Sequence, residues 1–352
     1  MLKQYLSLIS PTDAQAAAAC RARWDALAKP LHSLGLLEDI ICKIAAVRGS
    51  AEVALTKRAV AVFCADNGVV ARGVSQSGPE VTATVAREMA AGRGNINALG
   101  RFARADVFPF DVGMLADDPT VPARKSAHGT ADFTLGPAMS GEQAENAVCF
   151  GLELAGKLKA QGYDILIGGE MGIGNTTTST ALACVLLDRP PEALTGRGAG
   201  LSDAALMRKT EAIRDAIAVN KPDLNDPLGL LAKLGGFDIA ALCGLFLGGA
   251  AYRVPVIVDG VIAAVAAAVA CRMAPACRDF LLASHLSREP AHALLLGGLG
   301  LTPVIHGDLA LGEGSGGVML LPLLDAALAV YDQGSTFSSF GMAAYTPQEE
   351  RT

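Results

Sequence analysis

The chain alternates short apolar runs with glycine-rich or acidic turns and with segments of helical spacing. Runs of this length, rich in β-branched residues and bounded by turn residues, are typical of buried strands. Their alternation with helices predicts a doubly wound α/β fold, in which helices cover both faces of a parallel sheet. The predicted strands span residues 58–66, 105–114, 164–169, 254–260 and 279–285.

Both ends of the chain have helical spacing. Residues 13–48 predict helices with an interruption at 29–35. The closing segment predicts one more helix, which ends at Gly334 and is followed by a polar tail. We expect this last helix to return and pack on the N-terminal ones.

Composition narrows the class of protein. With 51% apolar residues among 352, the chain can bury a large core. A net charge of −6, without a Lys/Arg cluster interleaved with aromatic residues, argues against nucleic acid as a partner, so we expect a small-molecule ligand. The eight cysteines stand in apolar runs without CxxC spacing, which is typical of reduced core thiols in a cytoplasmic protein.

The sequence predicts neither a secretory signal nor a membrane span. The N-terminus lacks a basic region followed by an apolar one. The most apolar stretch, residues 254–270, is interrupted by Asp259 and Gly260. A strand followed by a buried helix fits this stretch better than a transmembrane helix does.

Polar side chains follow most of the predicted strands. Ligands of open α/β sheets bind beyond the carboxyl ends of the strands, so these side chains are expected to converge on one crevice. They are Asp66, Asp111, Glu170, Asp259 and the segment 284–287.

The segment 163–180, YDILIGGEMGIGNTTTST, runs from an apolar strand through glycines into the start of a helix. Glycines let the backbone approach a ligand, and N–H groups at a helix start attract phosphate. The glycines lack the lysine of a Walker A motif and the GxGxxG spacing, so the pattern leaves a phosphate site and a structural turn equally open. Glu170, a carboxylate inside this predicted anion-binding loop, needs an explanation.

Two further glycine clusters carry candidate functional groups. Residues 195–213 put Lys209 about two helical turns after three glycines, where it serves either as a cation for phosphate or as a solvated lysine. Residues 309–317 place Glu313 between Gly312 and Gly314. Such a glutamate can act as a general base, although spacing alone favours a turn residue that points into water.

The five histidines do not form a recognisable catalytic or metal-binding pattern. His285 and His292 stand seven residues apart, which allows a shared helix face, but no third ligand is near them in sequence. We therefore predict no metal site.

Taken together, these segments resemble the nicotinate-nucleotide–dimethylbenzimidazole phosphoribosyltransferase family over nearly the whole chain. The motifs are specific because they occur together in this order. They are KPLHSLGLLE (29–38), CADNGVVARGVSQSGPEVT (64–82), GRGNINALGR (92–101), DVGM (111–114), GGEMGIGNTTTSTAL (168–182), GRGAGLSD (196–203), GGFDIAALCG (235–244), VPVIVDG (254–260) and LGEGSGG (311–317).

The resemblance implies an activity and a domain plan. Phosphoribose passes from nicotinate mononucleotide to a nitrogen of 5,6-dimethylbenzimidazole, without cofactor or metal, and Glu313 matches the catalytic glutamate while Glu170 resembles a second functional carboxylate. The family's fold adds a small helical domain built from both chain ends. The spacing here agrees with such a domain at 1–50 and 320–352, beside a large α/β catalytic domain at 51–319.

The resemblance also implies binding residues. Lys209 is similar to a lysine that reaches the phosphate from the partner subunit of a homodimer. The phosphate, ribose and nicotinate contacts are expected at Gly172, Ile173, Gly174, Asn175, Thr176, Gly198, Gly200, Asp259 and Ser287. The base pocket is expected at Ser75, Gln76, Ser77, Pro79, Glu80 and Met171.

The chain departs from the family pattern in the predicted base pocket. Ser77 and Pro79 stand where members commonly carry a tyrosine and a glutamine, so a smaller wall with fewer hydrogen bonds is expected. The acceptor could then be another benzimidazole, a purine or a phenolic compound. A catalytically silent nucleotide-binding protein and a nucleotide hydrolase are the alternatives from other functional classes.

Overall fold

The computed structural model describes residues 1–198 and 200–345. A five-stranded parallel sheet has the order β2-β1-β3-β4-β5, and a separate two-stranded parallel sheet pairs β6 with β7. The strands are β1 Arg58–Ala65, β2 Ala105–Gly113, β3 Ile165–Met171, β4 Val256–Val258, β5 Leu281–Ala283, β6 His285–Ser287 and β7 Ile305–Leu309.

Helices connect and cover these strands. They are α1 Leu2–Leu6, α2 Ala14–Ala26, α3 Leu36–Arg48, α4 Glu80–Ala90, α5 Asn95–Ala103, α6 Gly141–Ala160, α7 Asn175–Leu187, α8 Pro191–Leu194, α9 Asp203–Asn220, α10 Pro227–Leu234, α11 Phe237–Ala251, α12 Val261–Met273, α13 Pro290–Leu299 and α14 Ser315–Gln333. Short 3₁₀ turns lie at Gly68–Arg72, Pro275–Phe280 and Ser338–Phe340.

Alternate residues of the strands enter two different hydrophobic cores. In β1, Ala61 and Phe63 join the core that includes α6 and α11, while Val60 and Val62 join the core of α3, α5 and α14. Side chains alternate across a strand, so a strand with helices on both faces must be apolar throughout. The predicted doubly wound fold is therefore confirmed, with all five predicted strands present.

The structure differs from the sequence prediction at the edges of elements. β3 continues to Met171, two residues beyond the predicted strand, and β4 keeps only Val256–Val258. The pair β6–β7 and the short α1 were not predicted, because a few residues of strand or helix have no clear periodicity.

The two chain ends pack together as expected. The ring centroids of Trp24 in α2 and Tyr331 in α14 lie 4.9 Å apart, and Leu27 forms an isolated β-bridge with Thr336. α14 starts at Ser315 and passes through the expected domain boundary at 320, so the division into two domains stays a prediction. The end of the predicted polar tail, 346–352, lies outside the described residues.

The strand order creates the place for a ligand. β1 and β3 are neighbours, while the strand between them in sequence, β2, lies on the far side of β1. The connections leaving β1 and β3 therefore diverge, and a crevice opens at their carboxyl ends. Asn67 follows β1 at this point, and Glu170 lies near the end of β3.

Candidate functional site

A cavity of about 280 Å³ opens at the carboxyl edge of the sheet, near the ends of β3 and β4. Most residues assigned to a site from the sequence line it, namely Ser75, Gln76, Glu170, Met171, Gly172, Ile173, Gly174, Asn175, Thr176, Gly198, Asp259, Ser287 and Glu313. The remaining predicted residues, Asp66, Asp111, Ser77, Pro79, Glu80, Gly200, Lys209 and Ser284, lie outside its wall.

Glu170 belongs to β3 rather than to the predicted loop, which corrects the sequence interpretation. Its side chain is 9% exposed and accepts a hydrogen bond from the side-chain amide of Asn175. Burial raises the pKa of the Glu170 carboxyl well above its usual range, and the nearby Asp238 raises it further. A carboxyl group in this setting holds a proton more readily than one in water.

Asp238, in the first turn of α11, is a site residue that sequence reasoning missed. The amide nitrogen of Asn175 donates to Asp238 Oδ2 at 2.8 Å as well as to Glu170. Asp238 is fully buried, and burial raises its pKa to about 6. Asp238 lies inside the GGFDIAALCG motif, so the sequence feature that could have revealed it was this motif rather than the spacing of acidic residues.

Glu313 turns into the protein instead of into water, so the turn-residue alternative is wrong. Its side chain is 7% exposed, and its Oε2 accepts a hydrogen bond from the Ile96 N–H at 3.3 Å, at the start of α5. Burial raises the pKa of the Glu313 carboxyl, while this N–H opposes the rise. Glu313 and Glu170 thus offer two carboxyl groups suited to proton transfer in one cavity, and their catalytic role stays a prediction.

The turn that carries Glu313 and the end of β3 approach each other closely. A Cβ on Gly312 would lie 2.8 Å from Glu170 Oε1, and a Cβ on Gly169 would lie 2.5 Å from the Glu313 carbonyl oxygen. The backbone contact requires glycine at Gly169, and a φ of 82° favours glycine at Gly312. The two carboxylates are held in one arrangement because their backbones pack directly on each other.

The glycine-rich loop leads into α7, and Lys209 supports its first turn. Gly174 has a φ of 92°, a left-handed conformation that favours glycine. Lys209 Nζ donates to Thr176 Oγ1 at 3.0 Å and to the Gly196 carbonyl at 3.0 Å. Burial lowers the pKa of Lys209 to about 8, while Glu289 opposes that shift. The start of α7 thus combines a helix N-terminus with a buried amine behind it, which favours the binding of an anion.

The expectation that the lysine comes from a partner subunit is wrong for this arrangement. Lys209 reaches Thr176 within the same chain, because α9 packs against α7. It meets the loop from behind rather than through the cavity wall, and a Cβ on Gly198 would lie 3.7 Å from its Nζ. The glycine segment 196–198 thus separates the lysine from the open cavity.

Gly198 and Gly200 have different surroundings from those expected. Gly198 lines the cavity, but its N–H donates to Glu289 Oε1 at 3.1 Å. Gly200 lies outside the wall, and its carbonyl accepts a hydrogen bond from the Gln76 side chain. Gly200 therefore contacts the predicted base-pocket segment rather than the cavity.

Asp259 lines the cavity, but its hydrogen bonds are intramolecular. Its Oδ2 accepts from the Gly314 N–H at 3.2 Å and its Oδ1 from the Gly317 N–H at 3.1 Å. Burial raises its pKa to about 7, against the effect of these N–H groups. Both carboxylate oxygens hold the start of α14, and the expected ribose contact stays a prediction.

Ser287 and two histidines form the neighbouring wall. The Ser287 N–H donates to His292 Nδ1 at 2.9 Å, while His285 Nδ1 lies 3.0 Å from Ser284 Oγ. Burial lowers the pKa of His285 to about 4, so its ring is neutral near pH 7. His285 lines the cavity, as expected for the segment 284–287, although the sequence predicts no role for it there. Its signal was the polar segment 284–292, which spacing left ambiguous.

Only part of the predicted base pocket faces the cavity. Ser75, Gln76 and Met171 line it, whereas Ser77, Pro79 and Glu80 do not. The Gln76 side chain bonds to the Gly200 carbonyl, and α4 begins at Glu80. The argument for a changed acceptor from Ser77 and Pro79 loses its direct structural basis.

The part of the chain that the structure describes contains no candidate metal site. Across residues 1–198 and 200–345, three or more His, Cys, Asp or Glu side chains are nowhere grouped as a metal site requires.

Comparison with known proteins identifies the family. A family model described as "Phosphoribosyltransferase" matches residues 9–342. The nicotinate-nucleotide–dimethylbenzimidazole phosphoribosyltransferase of Ruminiclostridium cellulolyticum is 44% identical over 93% of this chain and 94% of its own. The enzyme of the same name from Acetivibrio thermocellus is 41% identical over 99% of this chain and 100% of its own.

The chain belongs to the nicotinate-nucleotide–dimethylbenzimidazole phosphoribosyltransferase family. A crystal structure of the family from Thermus thermophilus superposes with a TM-score of 0.88 at 40% identity, covering 95% of this chain and 100% of that one. The family assignment made from the ordered motifs is therefore confirmed.

Replacing Lys209 tests the anion site. We expect Lys209→Met to weaken binding of inorganic phosphate at pH 7 by about tenfold or more, because the positive charge behind the start of α7 and its hydrogen bond to Thr176 are lost. In the unaltered protein, affinity should fall as pH rises past about 8, where the amine loses its charge. Calorimetric titration across pH measures both effects.

Lys157→Met, at an exposed lysine in the last turn of α6, is the matched control. It should leave phosphate affinity unchanged. Equal phosphate affinity in Lys209→Met and the unaltered protein would remove Lys209 from the anion site.

Proposed function

We propose that this protein transfers phosphoribose from nicotinate mononucleotide to 5,6-dimethylbenzimidazole, giving α-ribazole 5′-phosphate and nicotinate for the lower-ligand nucleotide of cobalamin. Family membership and the names of the relatives support this activity. The observation that carries it is one cavity with two buried carboxyl groups, Glu170 and Glu313, facing a glycine-rich helix start at Gly172–Thr176.

The reaction balances without a cofactor. The bond from ribose C1′ to the pyridinium nitrogen breaks, and nicotinate leaves with that electron pair, so its ring nitrogen becomes neutral. A nitrogen of the benzimidazole forms the new bond to C1′, and the other nitrogen loses its proton. Glu313 accepts this proton, since a carboxyl group with a raised pKa binds it firmly. Its negative charge before transfer also stabilises the cationic ribosyl transition state.

The polarity of the cavity suits this substrate. Nicotinate mononucleotide carries a negative phosphate at one end and a positive pyridinium near C1′. The N–H groups at the start of α7, where Lys209 bonds to Thr176, suit the phosphate, and Glu313 on the turn before α14 suits the positive charge near C1′. Pairing of opposite charges in this way favours one orientation of the nucleotide.

The acceptor pocket is assigned to Met171, Ser75 and Gln76. The thioether of Met171 offers an adaptable apolar wall for a flat ring. A purine or phenolic acceptor stays the second candidate, and a non-catalytic nucleotide-binding protein the third. The presence of both buried carboxyl groups favours catalysis over silent binding.

The assembly and location belong to the same proposal. We infer a homodimer from the resemblance, and Met207, 68% exposed on α9 beside the site, is an apolar contact available to a second copy.

A cytoplasmic location is supported by free cysteine thiols that are mostly buried. In the described part of the chain, α14 has the length and apolar composition of a membrane span, but it packs on β3 and α3.

Glu313→Gln tests the proposed base. We expect kcat to fall by about a hundredfold or more while binding of nicotinate mononucleotide is largely retained, because the amide has the same shape but accepts no proton. For the unaltered enzyme, kcat should rise with pH through an apparent pKa above the usual carboxyl range, since the base must be deprotonated. Nicotinate release with and without dimethylbenzimidazole measures turnover.

Glu142→Gln, an exposed glutamate in the first turn of α6, is the control and should keep full activity. Nicotinate release that needs no base would favour the hydrolase. Full activity in Glu313→Gln would exclude it as the base.

Competition between acceptors tests the base pocket. In one reaction with equal dimethylbenzimidazole, adenine and phenol, we expect α-ribazole 5′-phosphate to be the main product, because Met171 presents an apolar wall to the methylated ring. Product ratios by mass spectrometry give the relative kcat/KM values. A dominant purine or phenolic nucleotide would overturn this choice of acceptor.

A further inference from the structure

Glu313 occupies a backbone conformation that an ordinary residue avoids. Gly312, Glu313 and Gly314 have successive φ values of 82°, 61° and 85°. In this left-handed region the Cβ of Glu313 crowds its own backbone, whereas the two glycines have none to crowd. Such a conformation persists only where surrounding contacts enforce it.

Asp259 supplies a contact of this kind. It follows β4 and is 3% exposed, with Oδ2 accepting from the Gly314 N–H at 3.2 Å and Oδ1 from the Gly317 N–H at 3.1 Å. Gly314 directly follows Glu313, and it has no side chain to cap α14 itself. The cap therefore comes from a neighbouring strand of the sheet, through one carboxylate that binds two N–H groups.

The sheet closes the other side of this turn. A Cβ on Gly169 in β3 would lie 2.5 Å from the Glu313 carbonyl, and a Cβ on Gly314 would lie 2.9 Å from Val60 Cγ1. The turn is thus pressed against β3 and β1 while Asp259 holds its N–H groups. Both oxygens of Asp259 accept hydrogen bonds from the first turn of α14, so the carboxylate ties this turn to the end of β4.

We propose that Asp259 is a positioning residue, which fixes Glu313 in its left-handed conformation by clamping the first turn of α14. This inference rests on the proposed function, because it assigns Glu313 the proton transfer. It departs from the ribose contact that the resemblance implied for Asp259. The two roles differ in kinetics, since a ribose contact acts on nucleotide binding and a clamp acts on the chemical step.

Asp259→Asn separates the two roles. The amide keeps the shape, but its NH₂ group faces an N–H of Gly314 or Gly317, where two donors meet without an acceptor. We expect kcat to fall by about ten- to a hundredfold through displacement of Glu313, with KM for nicotinate mononucleotide changing less than about threefold. A large rise in KM at unchanged kcat would overturn the proposal in favour of a ribose contact.

The double variant with Glu313→Gln shows whether Asp259 acts through Glu313. If it does, adding Asp259→Asn to Glu313→Gln lowers kcat little further, because residues that act as a unit are not additive. Losses that multiply would overturn the proposal. An unaltered enzyme that releases no nicotinate would instead contradict the proposed function, so the two failures are distinguishable.

Asp13→Asn is the matched control, because Asp13 Oδ1 caps α2 by accepting from Gln15 N at 2.9 Å and Ala16 N at 3.0 Å. It should lower the melting temperature without changing kcat.

If Asp259→Asn does not fold, hydrogen exchange in the unaltered protein tests the clamp instead. The Gly314 and Gly317 amides should exchange far more slowly than in an unstructured peptide, and exchange at the peptide rate would overturn the clamp.

Discussion

The site depends on the burial of four carboxyl groups at one edge of a parallel sheet. Glu170, Asp238, Asp259 and Glu313 are each less than a tenth exposed, and burial is the largest cause of their raised pKa values. Burying a carboxylate without partners is costly. Neutral donors lower that cost here, namely the Asn175 amide and backbone N–H groups. The four carboxyl groups therefore keep a high affinity for protons, whereas a nearby cation would have lowered their pKa values.

Because neutral groups donate to the four acids, the cation Lys209 can lie apart from them. Lys209 bonds to Thr176 and to a backbone carbonyl rather than to any of the four acids. A lysine among the acids would lower their pKa values and remove the base needed for the proposed chemistry. In the proposed function, the N–H groups at the start of α7 are then left for the phosphate and Glu313 for the proton transfer. The loop before α7 follows β3, while Asp259, which bonds to the turn after Glu313, follows β4.

The fold was predictable because strand length, apolar character and alternation with helices are all local properties of the sequence. The cavity residues were predictable because ordered motifs gather at the carboxyl ends of strands. Sequence could not reveal that Ser77 and Pro79 lie outside the cavity wall while Ser75 and Gln76 line it. Nor could it show which atoms satisfy Asp259, or that Lys209 bonds to Thr176 of its own chain, since these depend on the packing of distant segments.

The chain ends take part in the site through α14. This helix begins two residues after Glu313 and reaches Tyr331, whose ring packs on Trp24 of α2. Its middle is tied to β1, where the Arg58 guanidinium pairs with Asp325. A helix fixed at its middle and far end also restrains its first turn, which supports the proposed clamp of Glu313 by Asp259. The terminal helices therefore support the geometry of the turn that carries Glu313, although they contribute no side chain to the cavity wall.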